Sequence, residues 1–130
     1  MSLRMLKVVG ALVMGNIAPL IAHGIEAPFP TATSSDYLAS LLQREGIRKP
    51  VDLKLRPDLT DIARQATEHI DSFDLGCEFT SLYEVRVLQN GNQWIAGYEA
   101  RFECEDGPSP AAATYFDVNH NMLGTLDIAS

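Results

Sequence analysis

Between Leu59 and Phe73 the apolar side chains fall at Leu59, Ile62, Ala63, Ala66, Ile70 and Phe73, a spacing that gathers them on one face of an α-helix. Pro57 presets the backbone of a first helical turn, and Asp58 and Asp61 complement its positive end, so a helix is expected over about residues 58–71. Upstream, Tyr37, Leu38, Leu41 and Leu42 share a face of a shorter helix. Ser35 or Asp36 would cap it by accepting a first-turn N–H, and Gly46 would stop it. Val51, Leu53 and Leu55 alternate with Asp52, Lys54 and Arg56 between Pro50 and Pro57, the pattern of a short strand or an extended connector.

Beyond Phe73 the apolar period shortens to two. Asn90-Gly91 lies between two alternating runs, and this pair suits a type I′ hairpin turn because both central residues need positive φ. A two-residue turn pairs Val87 with Trp94, Val85 with Ala96, Tyr83 with Tyr98, Phe79 with Phe102 and Cys77 with Cys104 on one face. The other face carries Glu84, Leu82, Glu99, Thr80, Arg101, Glu78 and Glu103 and is expected to be mostly wet. Glu78 opposite Glu103 and a bulge at Gly97 are the irregularities of this register. After the Asp106–Pro110 loop, residues 112–118 and 122–128 form a second hairpin. Phe116, Val118, Met122, Leu126 and Ile128 face inward from it, and His120 takes a left-handed turn conformation.

The N-terminus has a different character. Arg4 and Lys7 precede an apolar stretch from Val8 to Ala22, and small residues follow, with cuts possible after Gly24 or Ala27. The stretch is too short to span a bilayer and matches a signal peptide over residues 1–27. Residues 28–35 read as an extended leader and 36–130 as a single α+β domain. Export places Cys77 and Cys104 where a disulfide forms, and the hairpin register brings them together.

The whole chain has 10 basic and 17 acidic residues, a net charge of −7. Loss of Arg4, Lys7 and Glu26 would leave a mature part at −8. That charge argues against nucleic acid and anionic membranes as partners and favours a basic protein. The acidic residues concentrate in the second half, while Arg44, Arg48, Lys49, Lys54 and Arg56 crowd thirteen positions of the first.

No motif for catalysis, metal or cofactor emerges. Asp117-Val118-Asn119-His120-Asn121 opens like a calcium loop, but Met122 stands where glycine is needed and Ile128 where the bidentate glutamate is needed. His69 and His120 have no partner at metal-ligand spacing. No Gly-x-Ser-x-Gly elbow and no CxxC pair is present.

Two N-terminal helices packed on a four-stranded antiparallel meander make the expected fold, an α+β layer that looks like the cystatin or PepSY type of architecture. The segment from Tyr115 to Leu123 resembles the Phe-Asp-x-x-Gly turn common there, with His120 in place of glycine. The leading expectation for function is a non-enzymatic periplasmic or extracellular binding protein of inhibitor or immunity type. It would hold a basic partner through Glu84, Glu99, Arg101, Glu103, Glu105 and Asp106. Alternatives are a small-ligand domain with a pocket between helix and sheet lined by Tyr83, Trp94 and Tyr98, or a structural subunit of an envelope assembly.

Overall fold

The computed structural model describes residues 25–30, 33–89, 93–106 and 109–128. The chain divides into two compact units, one of residues 1–27 with Leu88–Trp94 and one of Pro28–Val87 with Ile95–Ser130. In the smaller unit the described residues all lie in strands: Ile25–Ala27, Leu88, Gln89, Gln93 and Trp94. Residues 1–24 of the expected signal peptide, residues 31–32 of the expected leader and the Asn90-Gly91 turn lie outside the described residues.

In chain order the elements are β1 (Ile25–Pro28), α1 (Ser35–Leu42), β2 (Gly46–Pro50), α2 (Thr60–Asp71), β3 (Cys77–Gln89), β4 (Gln93–Cys104), β5 (Ala111–Asp117) and β6 (Met122–Asp127). A 3₁₀ turn, Pro57–Leu59, leads into α2. The strands form a six-stranded sheet in the order β2-β3-β4-β5-β6, with β1 paired to β4 off that path. β2 with β3, β4 with β5 and β5 with β6 are antiparallel.

This overturns the expected fold of two N-terminal helices on a four-stranded meander. The mixture of helix and sheet holds, but strands alternate with helices in the first half of the chain and the sheet has six strands. The expected wet face is also absent, because each face of the sheet has its own helix. On β5, Ala113 and Tyr115 pack with Leu38 of α1, whereas Ala112 and Phe116 pack with Ile62, Ala66 and Ile70 of α2. Adjacent residues of a strand point to opposite faces, so α1 and α2 lie on opposite sides. The cystatin-like arrangement, with one sheet face in water, does not apply. The run Ala111-Ala112-Ala113-Thr114-Tyr115-Phe116 carries the physical reason: a strand covered on both sides reads as a continuous apolar stretch and not as an alternation.

The hairpin register holds at one end and slips at the other. Cys77 and Cys104 are disulfide-bonded, the rings of Phe79 and Phe102 meet edge-on at 5.7 Å, and Thr80 Oγ1 donates to the Arg101 carbonyl at 3.1 Å. All three contacts are those of the register expected from the sequence. However, Phe79 and Leu82 both pack toward α2, while Val85 and Val87 join Ile95 and Leu41 on the α1 side. Alternation therefore slips by one between Phe79 and Leu82, the signature of a β-bulge. The cysteines keep their pairing, and the turn-proximal half is the part that shifts.

Local details follow from side-chain chemistry. Ser34 caps α1, accepting a hydrogen bond from the Tyr37 N–H at 3.2 Å, one residue before the expected cap. Gly46 begins β2 and does not close the helix. Val51 and Leu53 reach the α2 cluster, but Leu55 is 78% exposed, and the segment expected as a short strand or an extended connector is a connector with a turn at 53–55 that follows β2. Phe73 and Val118, expected inward, are exposed. Leu126 packs on the α1 side and Met122 on the α2 side, separated by a register shift at Tyr115/Phe116. Phe29, in the expected leader, is buried with Val85, Val87 and Leu41. His120 has φ of 69°, the left-handed conformation expected of it. The disulfide closes a loop with a sequence separation of 27, worth about 3.5 kcal/mol by restricting the unfolded chain.

Candidate functional site

Glu99 is the least expected residue of the fold. Strand alternation places it on an acidic solvent face, but the α1 layer covers it and its side chain is 0% exposed. Three groups surround it. Arg48 on the edge strand β2 donates from Nε to both carboxylate oxygens at 3.1 and 3.2 Å. Arg101, two positions along β4 and hence on the same face, donates from Nε at 2.7 Å. Tyr115, directly opposite Glu99 in the β4–β5 register, donates its hydroxyl at 2.8 Å.

Burial by itself would favour the neutral acid, but the hydrogen bonds from Arg101, Arg48 and Tyr115 outweigh it and hold the Glu99 carboxyl below its usual range. The same burial and the adjacent carboxylate push the Tyr115 phenol well above its usual value. Arg101 also lies over the ring of Tyr83 at 5.4 Å, a cation–π contact. The cluster is thus an ionised carboxylate fixed by two guanidiniums and a neutral phenol.

Above this cluster, between the end of α1 and the β6 edge, opens a cavity of about 220 Å³. Arg48, Arg101 and Tyr115 line it on the sheet side, Leu42 and Gln43 on the helix side, and Asp127 stands in its wall.

A larger groove of about 610 Å³ lies at the disulfide end, lined by Gly76, Cys77, Glu78, Glu103, Cys104 and Glu105 and floored by Pro110 and Ala111. Backbone hydrogen bonds fix its rim: Glu105 N to Gly76 O at 3.2 Å, Asp106 N to Leu75 O at 3.0 Å and Cys104 N to Pro110 O at 2.8 Å. Gly76 has φ of 63°, which suits a residue without Cβ. Glu78, Glu103 and Glu105 have no ion-pair partner among the described residues.

The six residues expected to bind a partner therefore separate. Glu103 and Glu105 share the disulfide-end groove, and Asp106 stands beside Gly76 at its rim. Glu99 is buried with Arg101 on it. Glu84 accepts a hydrogen bond from Arg56 Nη1 at 3.1 Å, and Arg56 also holds Asp58. The aromatic pocket does not form as expected. Tyr83 packs on the α1 side with Val85 and Val87, Tyr98 packs on the α2 side and meets the His120 ring at 5.8 Å, and Trp94 belongs to the smaller unit. The slip in β3 alternation is what separates the two tyrosines. The sequence offers Arg48 only as part of a basic run and Tyr115 only as the start of a turn-like segment, and it assigns neither to a site. The signal for the two was a charged residue at an internal position of β4, needing partners from both neighbouring strands.

The calcium-like segment is a closed turn. Asp117 accepts hydrogen bonds from Asn119 N at 2.8 Å, Asn121 N at 3.0 Å and Asn121 Nδ2 at 3.1 Å. Among the described residues no three His, Cys, Asp or Glu side chains are grouped to hold a metal ion. No family model, curated protein or solved structure matches the chain.

Proposed function

We propose that this is an exported, non-enzymatic binding protein of inhibitor or immunity type, which holds a basic protein partner in the acidic groove beside the Cys77–Cys104 disulfide. The observation that carries the reading is the convergence of Glu78, Glu103 and Glu105, none of them ion-paired among the described residues, on one groove of about 610 Å³. Like charges facing each other across strands destabilise the free protein. A lysine or arginine entering the groove removes that repulsion, so residues that cost stability in isolation favour the complex. The disulfide braces the groove wall and suits an oxidising compartment outside the cytoplasm. Among the described residues, no helix is long and apolar enough to cross a membrane.

The test is an association-rate measurement with a lysine-rich peptide on three proteins. These are wild type, the Glu78→Gln/Glu103→Gln/Glu105→Gln variant, and an Asp36→Asn/Asp71→Asn/Asp74→Asn control that loses the same charge from exposed positions elsewhere. Steering fades as the Debye length shrinks to about 8 Å near 0.15 M salt. Wild type and control should associate faster than the groove variant in low salt, and all three should converge in high salt. Equal rates for groove variant and control would reject the groove as the binding surface.

A further inference from the structure

We propose a second binding site, independent of the acidic groove: the cavity between α1 and the β6 edge takes a small monocarboxylate with a short hydrocarbon tail. Arg48 and Arg101 both line the cavity, yet the hydrogen bonds that each makes to Glu99 come from Nε alone. The Nη groups of both arginines are uncommitted among the described residues, and they offer donors in the planar geometry that suits a carboxylate. Glu99 lies fully buried beneath them and sets one negative charge against their two positive ones. The Tyr115 hydroxyl proton is already given to Glu99. Asp127 pairs with Ala112 across β5 and β6, which puts its carboxylate on the α2 face and out of this balance. One positive charge is therefore left over at the sheet end of the cavity, and a monoanion neutralises it.

The far side of the cavity is apolar. Leu126 and Ile128, two positions apart on β6, face the α1 side, and Leu42 of α1 meets the same cluster. Arg101, Ala113 and Leu126 stand in one row across β4, β5 and β6. Adjacent strands are about 4.8 Å apart, so this row separates charge from hydrocarbon by about 10 Å of sheet. A ligand lying along the row sets its carboxylate on the arginines and its tail against Leu42, Leu126 and Ile128. An anion without a tail forgoes the apolar contact, and a neutral molecule of the same skeleton forgoes the charge-assisted bonds. The volume of about 220 Å³ is smaller than drug-sized pockets of roughly 300 Å³ and more, which keeps the tail short. The arginines are already held, by Glu99 and, for Arg101, by the Tyr83 ring, so binding need not immobilise them afresh.

The experiment is an NMR titration of the full chain with three probes: 4-methylpentanoate, its neutral amide 4-methylpentanamide, and acetate, which keeps the carboxylate without the tail. At millimolar concentration 4-methylpentanoate should give saturable shifts at the amides of Gln43, Arg48, Arg101, Leu126 and Ile128. The amide and acetate should each bind about tenfold more weakly, a difference of about 1.4 kcal/mol. Arg48→Gln leaves Glu99 with Arg101 and Tyr115, and should weaken 4-methylpentanoate about tenfold while leaving the amide unchanged. Ala39→Leu, which fills the cavity from α1, should abolish the shifts while the spectrum stays that of a folded chain. If either variant unfolds, the ranking of the three probes on wild type decides alone. No saturable shift with 4-methylpentanoate, shifts mapping elsewhere, or binding of the amide or of acetate as tight as that of 4-methylpentanoate would each overturn the proposal.

Discussion

Tyr115 donates its hydroxyl hydrogen bond to Glu99 at 2.8 Å from the strand position directly opposite, and both side chains are buried. The pair ties the central strands β4 and β5 together on the face that α1 covers, and it fixes the carboxylate on which Arg48 and Arg101 converge. A buried charge of this kind persists only with a full set of partners. Glu99 has two arginines and a phenol.

Glu99→Gln should therefore cost more than Tyr115→Phe. The first leaves two guanidiniums without their counter-charge, and hydrogen bonds to charged groups contribute about 1.5–3 kcal/mol each. The second removes one donor and leaves both ion pairs, so it loses a single such bond, about 1.5–3 kcal/mol. Urea unfolding of the two variants measures the order, and a Tyr115→Phe loss equal to or above that of Glu99→Gln would show that the arginines do not stabilise the carboxylate.

The pH dependence has a definite sign. The Glu99 carboxyl is held below its usual range in the folded protein, so folding favours its ionised form. Its contribution is complete above the unfolded value of about 4.3 and is lost as pH falls from there through the depressed folded value. Asp58 and Asp61, lowered by hydrogen bonds from Arg56 and Arg64 respectively, act in the same direction at the surface. Thermal melting from pH 7 down to about pH 2 should show wild type losing stability faster than Glu99→Gln below about pH 4. Parallel curves would mean that Glu99 does not titrate with unfolding.

Gly97 lies where two pieces of chain press together. A Cβ built there would collide with the Phe116 carbonyl oxygen and stand 2.6 Å from Phe29 Cδ2. Gly97→Ala should destabilise by about 1–3 kcal/mol through overpacking. At Gly124 the added carbon would meet only Leu38 Cδ1, at 3.4 Å, and Gly124→Ala should be neutral or slightly stabilising. Differential scanning calorimetry of the two variants distinguishes them, and equal melting temperatures would contradict the tight approach at Gly97.

Local features were legible in the sequence because local forces decide them. The α2 stripe from Leu59 to Ile70, the Cys77–Cys104 pair and the left-handed His120 each depend on a few neighbouring residues or on one turn. What the tertiary structure alone decided is which groups met across long separations. Arg48 and Glu99 stand 51 positions apart, and nothing in the spacing of either announces the other. Alternation in β3 and β4 suggested one dry face and one wet face, since a period of two says that neighbours part but not what covers each side. Packing α1 on the second face turned an apparent surface acid into a buried ion cluster, and a one-residue slip near Thr80 sent Tyr83 and Tyr98 to opposite sides. Parity along a strand is inherited from every residue between the turn and the point of interest. A single bulge therefore reverses it beyond that point while leaving the composition of the strand unchanged.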